Sequence, residues 1–279
     1  MLFRFIRLFL DGKVTFFFYG FLKERTAKII IKLGCNESKI KTNKNHMCTV
    51  TYLPLGNHDF ILTSNRDVPY AREKASAPKT YIEDNVPLTY PKDGKAGGTW
   101  IGLSDKNRLI CLLNGGFEYH TSRTNYRMSR GLILKKLLKA ADLLGFIEAI
   151  DLSDIEQFTL AIVDWQNDLN LYEFVWDGHQ KHLKKLAQEP HIWSSSTLYD
   201  ASVKQLRQDW FKAWQKQAFT SKNILDFHHT AGVGDSHIDV VMDRGLGGTV
   251  SITSVKKNKE IIQIDYEDIL TKKTAILNL

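Results

Sequence analysis

MCTVTYLPLGNHDFILTSNRDVP, residues 47–69, is the stretch that decides the fold. Residues 48–53 and 59–65 are short runs rich in β-branched and aromatic side chains, and Pro54, Gly56 and Asn57 between them predict a hairpin. Downstream, Pro69, Pro78, Pro87 and Pro91 punctuate a polar stretch that reads as an irregular loop. Gly97 and Gly98 open two further strand candidates, 99–103 and 108–113, turned by Asp105, Lys106 and Asn107. Ser129 is placed to cap a helix whose Leu134, Leu137, Leu138 and Ala141 share a face, and a second helical stretch runs to Ile150. Residues 158–165, 169–176 and 179–186 read as a meander, with Asp177 and Gly178 as a two-residue turn.

Val203, Leu206, Trp210, Phe211 and Trp214 recur at helical spacing and predict a helix over 200–218 that buries an aromatic face; a shorter one is expected over 222–228. Strands are expected again at 239–242, 249–255 and 260–266, with Gly245, Gly247 and Gly248 in the connection. Runs of strands enclosing paired helices, without an internal repeat, point to a layered α+β domain and to one domain rather than two.

Working outward to the amino end, the composition changes abruptly. Of the 279 residues 43% are hydrophobic and 25% charged, which is enough to bury a core. The formal charge of +7 sits entirely in residues 1–46, which hold ten Lys/Arg against three acids and seven of the fifteen Phe. The remaining body is electrically balanced, so it carries no nucleic-acid footprint. Asp11 and Lys13 break the early apolar run short of the roughly 18–20 residues of a membrane span, and no signal-peptide cleavage site follows. Two readings stay open for 1–46: an upstream stretch read as protein, with Met47 the true initiator, or a basic amphipathic segment that touches membrane. Only in the second is a membrane a partner, and the body is expected in the cytoplasm.

Met47-Cys48 matters in the first reading, because an initiator Met is removed before a side chain as small as Cys. Cys48 would then carry a thiol and a free α-amine, with unperturbed pKa values of about 8.5 and about 8, so that nucleophile and base share one residue. An ordinary buried strand cysteine is the alternative. Three cysteines, Cys35, Cys48 and Cys111, make neither a disulfide framework nor a thiolate zinc site. His228, His229, His237 and Asp239 fit no standard metal spacing, and no Walker loop, GxGxxG or GxSxG is present. No cofactor and no metal are expected.

The runs MCTVTYLP, FILTSNRDVPYAREKAS and KAGGTWIGLSDKNRLICLLNGGFE, followed by Ser129-Arg130-Gly131, SSSTLYD at 194–200 and TVSITSV at 249–255, resemble the NRDE, or transport and Golgi organisation protein 2, family. The resemblance covers 47–279 and leaves 1–46 without a counterpart. It implies a four-layer αββα sandwich of the N-terminal nucleophile hydrolase type, similar to choloylglycine hydrolase and penicillin V acylase, which cleave non-peptide amides with an amino-terminal Cys.

Carried over residue by residue, the resemblance makes Cys48 the nucleophile, with Asp67 and Asn65 holding its amine. Arg66 is placed to supply a positive charge and orient the substrate, Asn114 to stabilise the oxyanion, and Ser195 stands where the acylases have a second amide. Val68 replaces the Glu of the family motif, and the acylases' late Arg has no counterpart near Val250. Two functions therefore remain in view: hydrolysis of a small-molecule amide, or non-catalytic binding and trafficking of a hydrophobic ligand such as a lipid or haem on the same fold.

Overall fold

A computed structural model of the chain describes residues 4–10, 13–19, 48–196 and 201–279. The chain divides into a small unit, Met1–Asn43, and a large one, Lys44–Leu279. In the small unit β1 (Arg4–Leu10) pairs antiparallel with β2 (Lys13–Tyr19), Arg4 opposite Tyr19 and Leu10 opposite Lys13. Composition alone did not show this hairpin, although Asp11-Gly12 between the strands is a strong two-residue turn sequence.

The large unit runs β3 (Cys48–Gly56), β4 (Asp59–Pro69), β5 (Lys79–Glu83), β6 (Val86–Tyr90), β7 (Ile101–Ser104), β8 (Arg108–Asn114), α1 (Arg130–Lys139), α2 (Leu143–Ala149), β9 (Phe158–Asp164), β10 (Asn170–Trp176), β11 (Lys181–Leu186), β12 (His191–Ser194), α3 (Ala201–Trp214), α4 (Ser221–Thr230), β13 (Gly247–Asn258), β14 (Ile261–Asp268) and β15 (Lys273–Asn278). One antiparallel sheet has the order β11-β10-β9-β8-β7-β6-β5 and the other β12-β3-β4-β13-β14-β15.

Three apolar clusters fix the layers. Cys48, Val50 and Tyr52 of β3 meet Leu109, Cys111 and Leu113 of β8 between the two sheets. Leu134, Leu137 and Leu138 of α1 pack on Ile110, Leu112 and Phe158, the outer face of the first sheet. Leu53 and Ile61 meet Phe211 and Trp214 of α3 and Phe227 of α4 on the outer face of the second. The architecture is thus α, β, β, α, with both faces of each sheet covered. Among the described residues no helix is long and apolar enough to cross a membrane.

The long proline-rich loop is corrected by this structure, since β5 and β6 form a hairpin inside it. Asp84 and Asn85 turn it with φ of 50° and 62°, a left-handed pair that Asn and Asp tolerate. Pro87 sits near the start of β6, where a missing N–H costs least. Residues 239–242 are likewise not a strand. Their carbonyls are spent elsewhere, Asp239 O accepting from Arg207 Nη2 at 2.6 Å and Val240 O from Asn65 Nδ2 at 3.0 Å. Short β12 and β15 complete the second sheet without a clear pattern of their own.

The start of α1 reaches the sheet through glycine. A Cβ on Gly131 would lie 2.5 Å from the carbonyl oxygen of Thr99, and one on Gly98 would lie 2.9 Å from Gly131 C. Gly131→Ala is therefore expected to push α1 off the sheet and to lower the urea midpoint by the equivalent of about 1–3 kcal/mol. An unchanged midpoint would show that α1 docks without this close approach.

Candidate functional site

Alternation along β3 sorts its residues. Cys48, Val50 and Tyr52 face the other sheet, whereas Thr49, Thr51 and Leu53 face α3 and α4. Register places Cys48 opposite Arg66 of β4. On the other flank of β4, the pairing with β13 slips between Thr249, opposite Asp67, and Ser251, opposite Arg66, so Val250 is the extra residue of a bulge beside the site.

The Cys48 backbone N–H donates to Ser195 Oγ at 3.0 Å, and the Ser195 N–H returns a bond to the Cys48 carbonyl at 3.1 Å. Burial pushes the Cys48 thiol up to about 12. The negative charge of Asp67 adds to this, while the Asp67 backbone N–H, Arg66 and Arg130 pull the other way. Next along β4 is Asp67, 2% exposed, with neither carboxylate oxygen in a well-formed hydrogen bond. Burial raises its pKa to about 7; the nearby Thr249 hydroxyl, Arg207 and Arg244 offset only part of that cost.

Cys48 lines a cleft of about 540 Å³, whose walls include Arg66, Asp67, Trp100, Asn114 and Arg130. Arg66 stacks over the Trp100 ring at 4.0 Å and ion-pairs with Asp93. Arg72 grips the same Asp93 through Nε at 2.8 Å and Nη2 at 2.9 Å. Arg130, the first residue of α1, lies 3.1 Å from Glu156 Oε2 and donates to Gln157 O at 3.1 Å. Burial would raise Glu156, but His120, Arg130 and Ser122 outweigh it and hold the carboxyl at about 2.

Of the residues expected from sequence, the structure brings Cys48, Asp67, Arg66 and Asn114 to the cleft, with Ser195 against the Cys48 nitrogen. Asn65 goes elsewhere. Its Nδ2 donates to His228 O at 3.1 Å and Val240 O at 3.0 Å, and its Oδ1 lies 2.6 Å from His228 Nδ1. The expected hold of Asn65 on the Cys48 amine is thereby corrected: the side chain projects to the helix layer because 65 and 66 point to opposite faces of β4. With both Asn65 donors spent, Nδ1 of His228 carries the proton, and Nε2 accepts from Thr51 Oγ1 at 2.8 Å. His228 is neutral, its pKa pushed down to about 3 by burial and by the nearby His229 and Arg207.

Residues 197–200 of the SSSTLYD run, and Met47, lie outside the described residues. Sequence reasoning passed over Trp100, Asp93 and Arg130 as site residues, although Trp100 and Arg130 sit inside two of the quoted motifs. Asp93 had no signal as a charge partner, since the two arginines it pairs with are 21 and 27 positions away.

Comparison with known families matches residues 47–270 to the model described as Transport and Golgi organisation 2. No curated protein sequence gives a significant match. Among solved structures, an N-acylethanolamine-hydrolyzing acid amidase ortholog from Caenorhabditis elegans superposes with a TM-score of 0.51 at 13% identity, over 74% of this chain and 92% of that one. Penicillin V acylase from Agrobacterium tumefaciens gives 0.48 at 9% identity, over 83% and 86%. A variant of conjugated bile acid hydrolase from Clostridium perfringens gives 0.49 at 12%, over 83% and 92%. At these identities the amidase likeness carries the fold, which is that of the N-terminal nucleophile hydrolases.

Asp67 and His228 tilt stability in opposite directions with pH. The unfolded chain protonates His228 at about 6.5 and the folded one only at about 3, so this contribution is lost as pH falls through that window. Asp67, at about 7 folded and 3.8 unfolded, contributes fully below pH 3.8 and loses its contribution as pH rises to about 7. Where Cys48 keeps a peptide nitrogen, Asp67→Asn is expected to raise unfolding free energy at pH 8 by up to about 4 kcal/mol and to change little at pH 4. Urea titrations at the two pH values check it, and an equal effect at both would show that Asp67 is not an uncompensated charge.

Proposed function

The chain belongs to the Transport and Golgi organisation 2 family, and from that premise we propose that it is a cysteine hydrolase of a small-molecule amide, active once Cys48 is the amino-terminal residue. The observation that carries the proposal is Asp67: a sealed carboxylate without a good partner, close enough to Cys48 to raise its thiol pKa. An α-ammonium on Cys48 would give that carboxylate its cation. While residues 1–47 stay attached, the Cys48 nitrogen is a peptide group that cannot act as base, and the thiol stays protonated at neutral pH.

In the proposed sequence of steps the free amine, hydrogen-bonded to Ser195 Oγ, accepts the thiol proton, and Sγ attacks the substrate carbonyl. Asn114, which lines the cleft at the end of β8, donates to the oxyanion in this scheme. Collapse breaks the C–N bond, and the leaving amine takes the proton held on the α-ammonium. Water activated by the same amine then cleaves the thioester and regenerates the thiol. If residues 1–47 remain in place, the cleft keeps its shape without a base, and the second reading applies: binding of a ligand without turnover.

Protein purified from its natural source is expected to begin at Cys48 and, with a slowly hydrolysed activated amide, to give an acyl adduct on the Cys48 peptide by mass measurement. Cys48→Ala is expected to abolish the adduct, and Asp67→Asn to slow acylation by about a hundredfold. A protein that starts at Cys48 and never acylates there would overturn the amidase reading.

A further inference from the structure

A second cleft, of about 360 Å³, lies beside β12, an edge strand of its sheet, and shares no lining residue with the Cys48 cleft. Strand alternation builds it. β10 turns Tyr172, Phe174 and Trp176 toward the helix layer, which leaves Glu173 and Val175 on the opposite face, and β11 adds Lys184 and Leu186 there. Trp193 of β12 and Lys204 and Gln208 of α3 complete the wall. Ser194 and Ser196 line this cleft, whereas Ser195 between them accepts from the Cys48 N–H. Two ammonium groups stand here against one carboxylate. Lys204 Nζ, partly buried, donates to Ser196 Oγ at 3.0 Å and makes no ion pair among the described residues; burial lowers its pKa, with no carboxylate to offset the cost. Lys184 likewise makes no ion pair among the described residues, although Glu173 is opposite it across the strands. Glu173 is partly spent, since its Oε2 accepts from the Trp193 indole at 2.7 Å. His191, the remaining titratable group on the wall, has its Nε2 3.0 Å from Ala187 O.

We infer that this second cleft is a binding site for a small carboxylic acid with an apolar, ring-bearing body, its anion on Lys204 and its body against Trp193. The two kinds of lining match the two halves of such a molecule. On the polar side Lys204 has donors left beyond the one given to Ser196, and the Gln208 amide and Ser194 hydroxyl have no side-chain hydrogen bond among the described residues. On the apolar side Leu113, Phe117, Val175 and Leu186 join the Trp193 ring, which offers a flat face to another ring. A carboxylate would supply the counter-charge that the partly buried ammonium lacks, so its own desolvation is offset by a charge-assisted hydrogen bond. With two lysines against Glu173 the wall has room for one negative charge, and a doubly charged phosphate would leave one unanswered. The volume falls at the small end of small-molecule sites and suits a ring on a short chain. The site goes beyond the amidase reading and does not rest on it, since none of these residues needs a free amine on Cys48.

3-Phenylpropionate and 3-phenyl-1-propanol share a body and differ in charge, and neither is an amide that Cys48 could cleave. In the full-length chain, nitrogen-15 labelling of the tryptophan indoles reports the two clefts separately, because Trp193 lines this one and Trp100 lines the other. Trp193→Phe and Trp100→Phe assign the two signals. Titration with 3-phenylpropionate is expected to shift the Trp193 indole signal to saturation, with affinity at least about tenfold above that of the alcohol, the scale of one hydrogen bond to a charged group. Lys204→Met is expected to level the two affinities, and Lys204→Arg, which keeps the charge, to retain part of the difference. Equal affinities of acid and alcohol in the unsubstituted protein, an unmoved Trp193 signal, or a shift confined to Trp100 overturns the inference, even if Lys204→Met fails to fold. A preference for the acid that survives Lys204→Met overturns it as well. Acylation of Cys48, or its failure, bears on the hydrolase reading alone.

Discussion

A carboxylate sealed inside a protein needs partners, and the arrangement around Asp67 is organised by the lack of a hydrogen bond to either of its oxygens. The group sits where β4 meets the bulge of β13, across from the first residue of β3. Its ionised form raises the Cys48 pKa, and its own pKa rises toward neutrality because burial outweighs what the Thr249 hydroxyl, Arg207 and Arg244 offset. The structure thus stores an electrostatic cost at the point where the chain could supply an ammonium group. A single peptide bond, between residues 47 and 48, decides whether that cost is met.

Everything behind Asp67 is built to keep it there. β3 is covered on both faces, and the face toward the helices is polar in an unusual way: Thr49 and Thr51 are both fully buried. They are tolerable because α3 and α4 bring partners. Arg207 donates to Thr49 and to the carbonyls of Ile238 and Asp239, and neutral His228 links Thr51 to Asn65. Buried polar groups of this kind fix register, because a slip of one residue would strand every one of them. Asn65 belongs to this scaffold. It contributes to the site through the rigidity of β4 and not by touching Cys48.

The first hairpin, the meander over 158–186 and the aromatic helix were legible because each carries a period or a turn sequence that works locally. Phe211 and Trp214 declare a helix face whatever they pack against. The β5 and β6 hairpin was hidden by prolines that suggest a loop, since the tolerance of Pro87 depends on its place in the sheet. At 239–242 the apolar residues suggested a strand, but distant side chains from α3 and β4 claimed the carbonyls. β12 and β15 owe their extended form to the neighbours that pair with them. In the site, Cys48, Arg66 and Asp67 were legible from the order of motifs, whereas Asp93 was not, because the charge it answers comes from residues far along the chain.

By itself the sequence determined the layered α+β class, the position of Cys48 at the head of a strand, and the neutrality of the body apart from its basic amino end. Those properties follow from local spacing and composition, which need no tertiary partner to be read. Only the folded chain decided which carboxylates are compensated. Burial and the meeting of distant groups set that balance, giving two guanidiniums to Asp93 and no hydrogen bond to either oxygen of Asp67, and neither quantity exists until the layers close.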